Sequence, residues 1–217
     1  MKRLETRLDG PILIEPRVFR DERGFFLESY RRSALDELGI DVEFVQDNHS
    51  RSSLGVVRGM HLQTGVGQAK LVRCTLGSIL DVVVDVRRNS PTFGQWEGHE
   101  LDENNLHQLY VPVGFAHGFC VTSERADVLY KTSSYYDPSV ELAIAYDDPE
   151  VGIEWPRGIE LVPSEKMRGR RGWVRLWSGW CSRSHPRRRS AGPVTAAAER
   201  ASWMVATTTR SSGSMTT

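Results

Sequence analysis

The chain has 217 residues, 39% of them apolar and 26% charged, which is enough for one domain with a sizeable core. Its formal net charge of zero is a cancellation: residues 1–167 hold 18 Lys and Arg against 27 Asp and Glu, while residues 168–217 hold ten Arg against one acid, Glu199. An acidic body argues against a nucleic-acid partner, no apolar run approaches the roughly 20 residues of a membrane span, and the N-terminal MKRLETRLDG lacks a signal-peptide core.

In chain order, PILIEPRVF (11–19) reads as edge strands punctuated by Pro11 and Pro16. Asp21–Gly24 is a turn signal, followed by a strand over Phe25–Tyr30. Ser33–Leu38 is the best helix candidate, with Ser33 as its cap and Gly39 as its stop. Val42–Val45 reads as a short strand and Gln46–Ser50 as a polar loop. Further strands are expected at Val56–Val57, Leu71–Cys74, Ser78–Arg87, Trp96–Leu101, Gln108–Val113, Asp127–Thr132 and Leu142–Tyr146, while GFAHGFCV (114–121) sets His117 between two glycines after a strand and puts Cys120 in a strand-like run. Roughly ten to twelve short strands at intervals of about 8–12 residues, with one short helix, predict an all-β sandwich or barrel. From Met167 onward the strand period is lost, lysine disappears, and four of the six tryptophans follow. Residues 167–217 therefore read as a divergent basic tail, disordered or not native coding sequence, attached to a domain over 1–166.

Three kinds of chemistry can be tested against the residues. Cys74, Cys120 and Cys181 have neither disulfide nor zinc spacing, and the first two lie in apolar runs as buried thiols, which fits a reducing cytoplasm. No G-x-S-x-G elbow is present. His61 is followed by Leu62 and Gln63, so the second histidine of a metal-binding His-x-His pair is missing, and no metal is expected. Metal-free acid–base chemistry fits better. In GVVRGMHLQTGVGQAKLVRCTL (55–76), two strand arms would aim Arg58, His61 and Lys70 into one cavity, and one imidazole beside two fixed cations suits proton transfer on an anionic substrate. His61 as base, Tyr130 as acid and Lys70 as electrostatic stabiliser form a workable set. Taken singly, each has an ordinary reading: a core histidine, a half-buried strand tyrosine, a solvated edge charge. Asp81 and Asp85 are spaced to share a face and read as interior carboxylates with structural hydrogen bonds.

RGMHLQ (58–63), QAKLVR (68–73), SILDVVVDVR (78–87), SPTFG (90–94), YVPVGFAHGF (110–119), VLYKTSSYY (128–136) and DDPEVGIEWP (147–156) occur in this order, preceded by DERGFFLE (21–28) and VQDNHS (45–50). Together they resemble the dTDP-4-dehydrorhamnose 3,5-epimerase family over about residues 5–166. The resemblance implies a cupin-like double-stranded β-helix, or jelly roll, with one or two short helices. It also implies a homodimer with a subunit-shared site, no cofactor, and a dTDP-4-keto-6-deoxyhexose as substrate in rhamnose or antibiotic-sugar biosynthesis. By this resemblance His61 removes the proton beside the C4 ketone, Lys70 steadies the enolate, and Tyr130 returns a proton from the opposite face. His117 lines the cavity, Arg23 and Arg58 hold the diphosphate, and Phe26, Glu28, Gln46 and Asn48 hold the thymidine. Glu141 and Lys166 match substrate-contact positions, and Arg23 and Glu28 reach across from the other subunit. Relatives that invert a single carbon share these motifs. One position departs: the family's aspartate that orients the catalytic histidine is here Met167. Its loss would slow turnover, leaving at the extreme a binding protein, unless Asp81 or Asp85 takes its place.

Overall fold

The computed structural model describes residues 1–164, so the expected tail over 167–217 lies outside the described residues. In chain order it contains β1 (Lys2–Leu4), β2 (Ile12–Glu15), the hairpin β3 (Val18–Asp21) and β4 (Gly24–Leu27), helix α1 (Arg32–Asp36), and β5 (Gln46–Ser53). There follow β6 (Val56–Gln63), β7 (Lys70–Leu76), β8 (Ser78–Asp85), β9 (Trp96–Asp102), β10 (Gln108–Val111), β11 (Phe115–Val121) and β12 (Arg125–Thr132). Short strands β13 (Glu141–Ala143) and β14 (Val162–Pro163) close the described chain. The eight strands β5 to β12 form two antiparallel sheets, β10-β7-β12-β5 and β9-β8-β11-β6. Crossing from one sheet to the other along the chain makes this a jelly roll, as expected. β1 and β2 extend the first sheet beyond β10, and β13 and β14 flank β6 in the second.

Alternation of side chains builds three apolar layers. Between the sheets lie Val72, Cys74, Ile79, Val83, Leu109, Phe119 and Val128. Outside the first sheet, Leu71, Ile12, Ile14 and Tyr110 pack beneath Leu35 of α1 and Ile40. Outside the second, Met60, Val82 and Val84 are covered by Ile144, Val151 and Trp155. β7 and β8 are thus buried on both faces, which is why they read as nearly unbroken apolar runs. Each fully buried Val or Ile contributes roughly 1.5–3 kcal/mol, so these central strands are a stiff base for any side chain they present inward.

Several expected elements differ. Gln46–Ser50 is not a loop but the start of β5: Gln46, Asn48 and Ser50 are half-buried, whereas Asp47, His49 and Arg51 face solvent. Both faces are polar, so a strand signal based on apolar residues cannot find it. Val42–Val45 forms no strand; Val42 and Phe44 instead pack against the layer under α1. The helix begins one residue earlier than expected, with Arg31 as N-cap and no side-chain cap, while Arg32 pairs with Asp36 at 2.7 Å. The chain turns after it at Gly39, with φ +81°. β2 is interior, between β1 and β10.

Candidate active site

β6 and β11 touch through two glycines. A Cβ on Gly59 would stand 2.2 Å from the Gly118 Cα, and one on Gly118 would meet the Arg58 carbonyl oxygen at 2.6 Å. Only glycine allows this approach. It sets His61 and His117 opposite each other as register partners. Lys70 and Tyr130 come from β7 and β12 of the facing sheet. A cavity of about 320 Å³ opens between the sheets, lined by Arg58, His61, Lys70, His117, Tyr130 and Glu141 among others. The residues expected to do proton chemistry are therefore brought together, with imidazole and phenol on opposing walls.

Their immediate partners define what each can do. His117 is buried, its Nε2 2.7 Å from Asp81 Oδ1 and its Nδ1 3.4 Å from Lys70 Nζ. Burial pushes the Lys70 ammonium down to about 8, against the opposing pull of Asp81 and Glu141. Burial also raises the Tyr130 phenol above its usual value of 10, with the Arg58 guanidinium acting in the other direction. Arg58 Nε donates to Ser52 Oγ at 2.9 Å. Glu141 Oε1 lies 3.1 Å from His61 Nδ1, close enough to pair as ions although the angle is poor for a hydrogen bond.

The expectation that Asp81 or Asp85 orients His61 is not met. Asp81 bonds His117 instead. Asp85 is tied up by its neighbours: burial works to raise its carboxyl, but hydrogen bonds from Arg87, Ser90 and Thr92 outweigh it and bring it to about 2. The carboxylate beside His61 is Glu141, which the resemblance matched to a substrate-contact position. Met167, where the family's aspartate is replaced, lies outside the described residues, as does Lys166.

Gln46 and Asn48 sit beside the cavity on β5, where Asn48 is the register partner of Tyr130 and Gln46 Nε2 donates to Asn48 Oδ1 at 2.9 Å. Arg23, Phe26 and Glu28 do not join the cavity within one chain. They lie on and just after the β3–β4 hairpin, exposed, with Arg23 on Asp21 and Glu28 3.2 Å from Arg31. Tyr136 was missed, because it lies outside every expected strand, between Asp127–Thr132 and Leu142–Tyr146; it lines the cavity and donates to Glu141 Oε2 at 3.4 Å. Cys74 and Cys120 are buried thiols pushed up by burial to about 11. Among the described residues no group of three or more His, Cys, Asp or Glu could hold a metal ion, and no helix is long and apolar enough to cross a membrane.

Known proteins match this arrangement. The family model described as dTDP-4-dehydrorhamnose 3,5-epimerase matches residues 5–171. The dTDP-4-dehydrorhamnose 3,5-epimerase of Pseudomonas aeruginosa is 53% identical over 169 residues, covering 77% of this chain and 93% of that protein. A solved structure of dTDP-6-deoxy-D-glucose-3,5-epimerase from Legionella pneumophila, in complex with dTDP-4-keto-L-rhamnose, superposes with a TM-score of 0.74 at 47% identity, covering 76% of this chain and 89% of that one. A 3'-monoepimerase from Streptomyces bikiniensis in complex with dTDP-quinovose gives 0.75 at 33% identity, covering 82% and 94%. A jelly roll whose facing sheets line one cavity with an imidazole and a phenol, a family model matching residues 5–171, and a sequence 53% identical over 169 residues to a named epimerase have one common explanation: this chain belongs to the dTDP-4-dehydrorhamnose 3,5-epimerase family.

Proposed function

We propose that the protein inverts C3 and C5 of a dTDP-4-keto-6-deoxyhexose by side-chain acid–base catalysis, in the biosynthesis of rhamnose or an antibiotic deoxysugar. The observation that carries this reading is that His61 and Tyr130 line one cavity from two facing sheets. Inversion requires a proton to leave one face of a carbon and arrive at the other, which one side chain cannot readily do. His61 takes the proton next to the C4 ketone, and Glu141 stabilises the resulting imidazolium. The negative charge moves to O4, where the buried Lys70 ammonium faces it in a low-dielectric site. Tyr130, protonated at neutral pH, returns a proton from the opposite wall.

Arg58 binds the diphosphate, and Gln46 and Asn48 meet the nucleoside from the adjoining strand. Arg23, Phe26 and Glu28 complete the nucleotide site from a second copy of the chain. Support for this homodimer comes from the hairpin, where the register partners Phe19 and Phe26 are exposed by 48% and 65% on one face and Phe25 by 53% on the other, apolar surface that suits an interface. Lys166 is assigned to the substrate on the resemblance alone.

A second reading, inversion of C3 only, draws on the likeness in fold to the Streptomyces bikiniensis monoepimerase, whose TM-score of 0.75 is close to the 0.74 of the Legionella 3,5-epimerase although its identity is lower, 33% against 47%. Incubation with dTDP-4-keto-6-deoxyglucose in D₂O separates the two. Label at both carbons is expected; label at one establishes the single-centre reading. Nucleotide binding without label would mean that the Met167 substitution has cost the protein its activity.

A further inference from the structure

Lys70 carries a charge at a largely buried position. Its side chain is 8% exposed, and the hydrogen-bond acceptor facing Nζ is His117 Nδ1, 3.4 Å away. An ammonium has only protons to give. For Nδ1 to receive one, it must hold a lone pair, so the proton of a neutral His117 ring must sit on Nε2. That atom lies 2.7 Å from Asp81 Oδ1.

Asp81 is placed to enforce this. It lies on the inward face of β8 between Ile79 and Val83 and has no exposed surface. Asp85, two turns of the pleat further on, is surrounded by a guanidinium and two hydroxyls. Asp81 has His117 as its hydrogen-bond partner, and its second oxygen, Oδ2, is buried without one. An ionised carboxylate only accepts, so it requires N–H at Nε2. The other groups around the chain of contacts do not compete for this. His99, the register partner of Asp81 on β9, is buried against Glu97 at 3.5 Å, and burial holds it below the usual imidazole range in spite of Glu97 and Asp81. From β6, Arg58 is committed to Ser52, and His61 faces Glu141 of β13. Tyr130 of β12 lies by Arg58.

We propose that Asp81 is a positioning residue for Lys70, acting through His117: its carboxylate fixes the Nε2–H tautomer, whose Nδ1 lone pair then orients the ammonium toward the ketone oxygen and helps keep it charged. Asp81 itself touches no substrate and does not line the cavity. The contacts run in one direction, from ammonium to imidazole to carboxylate, and reversing the ring would set an N–H against the ammonium. This inference rests on the epimerase reading, since it assigns a purpose to Lys70 in that reaction.

The test compares the parent with Asp81→Asn, using dTDP-4-keto-6-deoxyglucose in D₂O and ¹⁵N spectra of the histidines. In the parent, the neutral His117 ring is expected as the Nε2–H tautomer. In Asp81→Asn, kcat is expected to fall roughly ten- to a hundredfold, the range seen when the outer partner of a functional histidine is removed. KM should change little. The alkaline limb of the rate profile should move to lower pH, because a negative neighbour of Lys70 is gone, and the His117 tautomer should become mixed. An unchanged tautomer and limb with reduced kcat would reduce Asp81 to a structural role and overturn the proposal, as would unchanged kcat. If the variant does not fold, the parent spectrum decides alone: a His117 protonated on Nδ1 overturns it. A parent that incorporates no deuterium would instead overturn the epimerase reading, while the tautomer stays measurable.

Discussion

At the scale of the residue, the two proposed proton-transfer groups can be separated by experiment. Tyr130→Phe keeps the base and removes the acid. His61 can still take a proton and give it back on the same face, so solvent exchange next to the ketone should continue while inverted product falls by about 10²–10⁴. Equal loss of exchange and inversion would show that the phenol is needed for the first step. Lys70 sets a pH limit: kcat/KM should fall as pH rises through about 8, where the ammonium is lost. Stability should move the other way. The folded state holds this proton less tightly than the unfolded chain, so between pH 8 and about 10.5 the Lys70 contribution to stability grows as pH rises. Parallel rate and unfolding titrations check both signs. His61, Lys70 and Tyr130 were legible because their chemistry and spacing are unusual for a surface strand. Which carboxylate meets which imidazole was not. Asp81 and Asp85 have the same parity on β8, and Glu141 reaches His61 through a strand pairing between segments about 80 residues apart.

At the scale of the element, the sequence was informative wherever a strand is apolar. β7 and β8 could be placed from their side chains. β5 could not, since its alternation is of polar against polar, and its inner face borders a cavity rather than a core. The helix was found from its end signals, Ser33 and Gly39, but its cap was misplaced because Arg31 holds that position with no side-chain bond. The glycines of RGMH and AHGF had a visible motif but no visible reason until β6 and β11 were seen in contact. Gly118→Ala tests that reason. The added methyl would stand 2.6 Å from the Arg58 carbonyl oxygen, and crowding of this kind costs typically 1–3 kcal/mol. Urea unfolding should show that loss, together with reduced activity, because separating the strands also shifts His61 against His117.

At the scale of the whole molecule, the proposed dimer makes the hairpin and the cavity two halves of one site, since within one chain Arg23, Phe26 and Glu28 stay exposed and away from the cavity. If a second copy supplies the missing half, two inactive variants should rescue each other. Arg23→Ala keeps its own His61, and His61→Ala keeps its own Arg23. Mixed dimers of the two should recover activity that neither has alone; absence of recovery would place Arg23 and His61 in the same subunit's site or outside it. The fold class followed from strand count and spacing, whereas composition and periodicity describe one chain at a time and could not have raised the proposal of a shared site, which came from the resemblance. The crossing of the chain between layers has a further effect. Proton giver and proton taker are anchored to different layers, so the gap between them is set by how thick the oily filling is, not by any bond that joins them. Swelling or shrinking that filling by a methylene at Val72 or Val83, which face each other's sheets, would act as a shim. Stereochemical fidelity should register such a change before melting temperature does.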